Sequence, residues 1–234
     1  MDRNVGLELR EGVAWITVDD GRVNALSEGL LHELDRALDT AEAEGAIAVL
    51  QGREGIFSAG FDMKTFARGY DPSVAMVRAG AELVLRLLAF PAPVVTVCAG
   101  HAYPMGAFLM LAADVRFAAE GDFRIGLNEV AIGITLPAFA VELARHRLPP
   151  HAFARVATGP LFPPSTAREL GFVDHVLPRD ALDAAVAEEL QRLAAIDRAS
   201  HVATKARLNA RAIGAIRQAL ETEVIPVERP QLAG

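Results

Sequence analysis

Glu129 stands alone as a carboxylate in the run Ile125-Gly126-Leu127-Asn128-Glu129, with Val130 and Ile132 just beyond it. Two glycine-bearing turns precede it, Phe57-Ser58-Ala59-Gly60-Phe61-Asp62 and Ala99-Gly100-His101-Ala102-Tyr103-Pro104-Met105-Gly106. Each turn reads as leading into a helix, so each could aim a backbone N–H at one oxygen atom. Two such donors make a place for a developing oxyanion, and a carboxylate beside them can move a proton. Together the three segments point to enolate chemistry on an activated carbonyl compound. A glutamate among Ile125, Leu127, Val130 and Ile132 should hold its proton more tightly than usual, which suits a base that must also act as an acid. Around it, Asp62 has the residue type of a helix cap, His101 reads as a structural or pocket-lining residue, and Asn128 is placed to orient Glu129 or a substrate.

The elements that must hold these residues follow from periodicity. Val5, Leu7 and Leu9 alternate, Glu11-Gly12 turns, and Val13, Trp15 and Thr17 alternate again, as in a hairpin. Ser27 can cap a helix with Leu30, Leu31, Leu34, Leu38 and Ala41 on one face, ended by Gly45. Residues 46–50 read as a buried strand ahead of the first turn. A helix from about Ser73 to Phe90 stops before Pro91 and Pro93, and the strand Val94 to Val97 leads into the second turn. A further apolar helix runs from near Met105 to Asp114, followed by strand-like pieces at 115–117 and 123–125. Strands alternating with helices of this length indicate a parallel sheet layered against helices, an α/β class. After Pro137 the pattern turns helical, with Leu182, Val186, Leu190 and Leu193, then Leu208, Ile213, Ile216 and Leu220, as apolar positions. The composition therefore divides at about residue 140, residues 1–140 carrying the candidate site and 141–234 a helical region within one structural unit.

Bulk properties narrow the function classes. The chain has 234 residues, 52% of them apolar, and a formal charge of −7 spread along its length. An acidic chain without a basic run is a poor nucleic-acid binder, although local Lys, Arg and helix N-termini can still hold an anion. The single cysteine, Cys98, forms no intrachain disulfide and sits in an apolar run as a small core residue. The N-terminal residues show no secretory signal and no apolar stretch approaches the roughly 20 residues of a membrane helix, so a cytoplasmic protein with no membrane partner is expected. The six histidines are scattered without metal-ligand spacing, so no metal is expected. There is no dinucleotide or P-loop glycine motif and no Gly-x-Ser-x-Gly elbow.

In order and spacing, the segments 22–27, Phe57 to Lys64, Pro93 to Asp114, Phe123 to Pro137 and 167–174 resemble the crotonase (enoyl-CoA hydratase/isomerase) superfamily. The resemblance implies a spiral of ββα units followed by a helical trimerisation region, a homotrimer or hexamer, and acyl-CoA thioester substrates of fatty-acid breakdown. Coenzyme A would then be part of the substrate, with no separate cofactor. By motif position, the amides of Phe61 and Met105 would receive the thioester oxygen, and Ser58, Ala59, Gly60, Asp62, Met63, Lys64, Gly106, Phe108 and Asn128 would line the substrate site. Arg22, Lys64, Arg68 and Lys205 are the candidate cations for the coenzyme A phosphates.

Two departures sharpen the expectation. Hydratases of the superfamily use two carboxylates; Phe108 falls at the place of the first and Glu129 at the place of the second. The segment from Ile125 through Glu129 to Gly133-Ile134 looks most like the single-glutamate Δ3,Δ2-enoyl-CoA isomerases, in which one carboxylate carries a proton from C2 to C4. The alternatives are a hydratase that activates water through Glu129 alone, and an acyl-CoA-binding protein without catalysis.

Overall fold

The computed structural model describes residues 4–222. The residues before and after that span, Met1 to Arg3 and the end of the 141–234 region, lie outside the described residues.

The architecture is a repeated walk of two strands and then a helix, in which, after the first unit, the second strand is short and lies in a second sheet. The first turn of the walk is the hairpin β1 (Val5–Arg10) and β2 (Val13–Val18), with Arg10 opposite Val13, followed by α1 (Glu28–Ala43). The two turn residues, Glu11 and Gly12, both have positive φ, the backbone that a two-residue hairpin requires. Ser27 caps α1 by accepting a bond from the Leu30 N–H at 3.3 Å, as its residue type predicts.

Three further units follow. They are β3 (Ile47–Gln51), β4 (Gly55–Ser58), the single-turn α2 (Met63–Phe66) and α3 (Tyr70–Ala89); β5 (Val94–Cys98), β6 (Gly100–Ala102) and α4 (Met105–Ala112); and β7 (Val115–Ala119), β8 (Ile125–Gly126), a 3-10 turn at Val130–Ile132 and α5 (Ala138–Arg147). Helix α6 (Pro150–Val156), β9 (Leu161–Phe162), α7 (Pro164–Glu169), β10 (His175–Leu177), α8 (Arg179–Ala194) and α9 (Arg198–Thr222) complete the described chain.

The longer strands form a six-stranded sheet in the order β1-β2-β3-β5-β7-β10, parallel from β2 onward. Strands β3 and β5 read as continuous apolar runs because both faces of this sheet are covered. One face packs with α1, α3, α4 and α5 in the main core, and the other with α8 through Leu182, Val186, Leu190 and Leu193. The short strands form a second sheet, β4-β6-β8-β9, parallel except for β9.

Three expectations need correction. Helix α3 begins at Tyr70 rather than near Ser73, since Pro72 falls within its first turn, where no intrahelical N–H bond is lost. The region after residue 140 is not purely helical: β9 extends the small sheet and β10 the large one. Both are too short, at two and three residues, to leave a periodic signal. On α9 the buried positions are Lys205, Asn209, Ala212, Ile216 and Leu220, while Leu208 is 69% exposed. A polar pair therefore begins the inward stripe, each member with a partner waiting in the core.

Candidate active site

Strands β4, β6 and β8 are parallel neighbours, so their C-terminal ends open on the same edge of the small sheet. Phe61, Met105 and Glu129 each stand three positions beyond the end of their strand, at Ser58, Ala102 and Gly126. The fold thus brings the three catalytic candidates to one rim, where ligands of layered α/β sheets commonly bind.

The first turn is held by the segment before α1. The Ala59 N–H donates to the Val23 carbonyl at 3.0 Å, the Gly60 N–H to the Ser58 hydroxyl at 3.1 Å, and the Asp62 N–H to the Leu26 carbonyl at 3.2 Å. The Phe61 N–H donates to no acceptor among the described residues. The Ser58 hydroxyl in turn donates to the Asn24 carbonyl at 2.7 Å, so its side chain holds the turn together.

Asn24, not singled out from the sequence, supports this turn from behind. It is buried with φ +52, and its amide nitrogen donates to Val18 and Phe57 carbonyls at 2.8 and 3.1 Å. Its side-chain oxygen accepts the Asp20 N–H at 3.0 Å. A signal existed: asparagine tolerates positive φ better than other side chains, and this one closes a turn-like Asp-Asp-Gly run.

The second turn docks on the first. The Tyr103 N–H donates to the Ser58 carbonyl at 3.0 Å. Gly60 has φ +93, and a Cβ there would fall 2.6 Å from Pro104 Cδ and 2.7 Å from the Tyr103 carbonyl oxygen, so only glycine allows this approach. A Cβ on Gly106 would likewise fall 2.9 Å from the Ser58 Cβ and carbonyl oxygen. Met105 is the first residue of α4, where helix geometry leaves the N–H without an internal partner, and Pro104 offers no capping side chain. Like Phe61, Met105 has a main-chain N–H that donates to no acceptor among the described residues.

Glu129 supplies the titratable group. It is 5% exposed, and one carboxylate oxygen, Oε2, is buried without a hydrogen-bond partner. Burial pushes its pKa up to about 8, a bond from its own backbone N–H offsetting only part of that cost. The side-chain oxygen of Asn128 next to it is also buried and unpartnered. Two adjacent buried acceptors without donors are uncommon in folded proteins and mark a place built for something else.

The remaining candidates fall into place around this rim. Asp62 caps α2, accepting from the Lys64 N–H at 3.2 Å and the Thr65 hydroxyl at 2.9 Å. Met63 and Lys64 are exposed beside it, as are Arg22 and Arg68. Phe108 is 1% exposed and packs edge-on against Phe139, ring centroids 5.6 Å apart. His101 Nδ1 accepts the Arg124 N–H at 3.1 Å, a structural use. Cys98 is buried, its thiol pushed up to about 12, so it is no nucleophile. Lys205 is withdrawn from the coenzyme A candidates: it is buried and bonded to Asp114 at 2.6 Å and to the Ala92 carbonyl at 3.3 Å. Among the described residues no cluster of three or more His, Cys, Asp or Glu could hold a metal ion, and no helix is long and apolar enough to cross a membrane.

Comparison with known proteins gives concordant matches. The family model described as enoyl-CoA hydratase/isomerase matches residues 8–229. A protein of Bacillus subtilis named as a probable enoyl-CoA hydratase is 32% identical over 82% of this chain and 74% of its own length. The human mitochondrial enoyl-CoA delta isomerase 1 is 29% identical over 84% of this chain and 67% of its own. A crystal structure of an enoyl-CoA hydratase/isomerase family protein from Pseudomonas syringae superposes with a TM-score of 0.91 at 37% identity, covering 93% of this chain and 95% of that one.

Proposed function

We propose that this chain, which belongs to the enoyl-CoA hydratase/isomerase family, is a Δ3,Δ2-enoyl-CoA isomerase that works with one glutamate. The observation that carries the reading is the pairing of Glu129, a buried carboxylate with an unpartnered oxygen, with an α4 that holds no acidic residue at all. In place of a second carboxylate α4 presents Phe108, closed off by Phe139. Such a rim suits proton transfer without addition of water.

In the proposed reaction the thioester oxygen of a 3-enoyl-CoA lies against the Phe61 and Met105 amides. The ionised Glu129 takes a proton from C2, and the electron pair moves onto that oxygen as a dienolate. The two N–H donors stabilise the charge; in comparable sites one donor is worth roughly 2.7–4 kcal/mol. Protonated Glu129 then returns the proton to C4, leaving the double bond between C2 and C3 and the carboxylate regenerated. A side chain with pKa about 8 can serve both steps. No cofactor is required beyond the coenzyme A that the substrate carries. We extend the proposal to a homo-oligomer, trimer or hexamer, and to Arg22, Lys64 and Arg68 as the exposed cations beside the first turn that meet the coenzyme A phosphates.

The name of the Bacillus relative favours hydration as the second reading. The test gives the purified protein a 3-enoyl-CoA and, separately, a 2-enoyl-CoA, and follows the absorbance of the conjugated thioester. An isomerase produces that absorbance from the first substrate and barely removes it from the second. Rapid loss from the second, without gain from the first, would make the protein a hydratase.

A further inference from the structure

Gly80 sits near the middle of α3, a 20-residue helix, where glycine costs about 1 kcal/mol relative to alanine. Packing gives the reason for it. A Cβ on Gly80 would stand 2.7 Å from both Cε1 and Cζ of Phe61 and 3.1 Å from Sδ of Met105. These are the side chains of the two residues whose amides form the proposed oxyanion site. Both rest on the same bare patch of α3, with the Phe61 ring further fixed edge-on to Phe66, centroids 6.3 Å apart. The nearest atoms are the far ends of side chains, not backbone. A methyl group at position 80 would therefore move the ring and the thioether while leaving α3 in place.

We propose that Gly80 determines acyl-chain specificity: its missing side chain seats the Phe61 ring and the Met105 thioether back against α3, and so keeps open the space that the acyl chain takes beside the thioester. The inference rests on the isomerase reading, in which the thioester lies against those two amides. In that reading the acyl chain leaves the carbonyl on the side where these two side chains pack, so they border its path. Displacing them off α3 narrows that path, and a chain long enough to run past both side chains loses more than one that ends beside them.

The test compares wild type, Gly80→Ala, Phe61→Leu and the double variant with 3-hexenoyl-CoA and 3-dodecenoyl-CoA. In Gly80→Ala the ratio of kcat/KM for the long over the short substrate should fall by about ten-fold, the scale of a mismatch of one methylene in an apolar pocket, with the loss in KM rather than kcat. Phe61→Leu keeps the amide and shortens the ring, so it should raise the ratio alone and restore it in the double variant. An equal loss for both chain lengths, or none, would overturn the proposal. Dissociation constants for hexanoyl-CoA and dodecanoyl-CoA are measured alongside. They need no turnover, so if wild type isomerises neither substrate the isomerase reading fails while the same long-to-short ratio, read in binding, still decides the role of Gly80. Should Gly80→Ala fail to fold, Phe61→Leu decides, and an unchanged ratio there would overturn the proposal.

Discussion

At the scale of single residues, Glu129 carries the sharpest consequences. Its folded pKa of about 8 lies above the ordinary glutamate value of 4.5, so the native state binds this proton more tightly than the unfolded chain does. Stability from this residue is therefore full below about pH 4.5 and falls as pH rises toward 8. Glu129→Gln should remove the dependence: the variant is expected to gain a few kcal/mol over wild type at pH 8 and little at pH 4.5, read from urea unfolding at both values. For activity the sign reverses. The base must be ionised, so wild-type kcat/KM should climb with pH and level off above about 8. A flat profile across that range would mean that another group takes the proton. Glu129 stood out in the sequence only beside the two glycine-bearing turns and by its motif position; Asn24 did not, since the partners of its side chain come from β2, β4 and the turn between β2 and α1, brought together only by the fold.

At the scale of elements, the account depends on two turns touching. Gly60→Ala tests this directly, because its Cβ would collide with Pro104 and the Tyr103 carbonyl. The expected result is a kcat lower by about 10²-fold, the scale for loss of one oxyanion donor, with the fold retained by circular dichroism. Asn24→Ala works on the same turn from behind. It leaves the Val18 and Phe57 carbonyls without their donor and should cost about 1–3 kcal/mol in denaturant unfolding. The turns themselves were readable as glycine-bearing loop-to-helix transitions. Their contact was not, because it follows from β4 and β6 pairing in parallel, a register set by backbone bonds rather than by residue type.

At the scale of the whole molecule, α9 ties the late chain to the end of α3 and the start of β5 in the large sheet. Lys205 pairs with Asp114, whose carboxylate also accepts the Val94 N–H at the start of β5, and Asn209 bridges the Leu88 carbonyl and His146. Lys205→Met should destabilise the protein by about 3 kcal/mol, the lower end for a broken buried pair, with KM for acyl-CoA unchanged. A selective rise in KM would return Lys205 to the coenzyme A site. Periodicity placed this helix but chose Leu208 as inward-facing, because apolar counting cannot see a lysine whose partner lies 91 residues away in the chain. The alternation of longer strands with helices was readable through residue 119, where apolar runs are long; β4, β6, β9 and β10, each four residues or fewer, were hidden because pairing, not composition, makes them strands.

The central claim is that one carboxylate, beyond the end of β8, carries the proton. Its most direct test is turnover of a 3-enoyl-CoA by Glu129→Gln, a variant that keeps the shape of the side chain and loses the base. The account predicts a kcat reduced by about 10²–10⁴-fold, with saturated acyl-CoA still bound at near wild-type affinity. Turnover by this variant within a few-fold of wild type would contradict it.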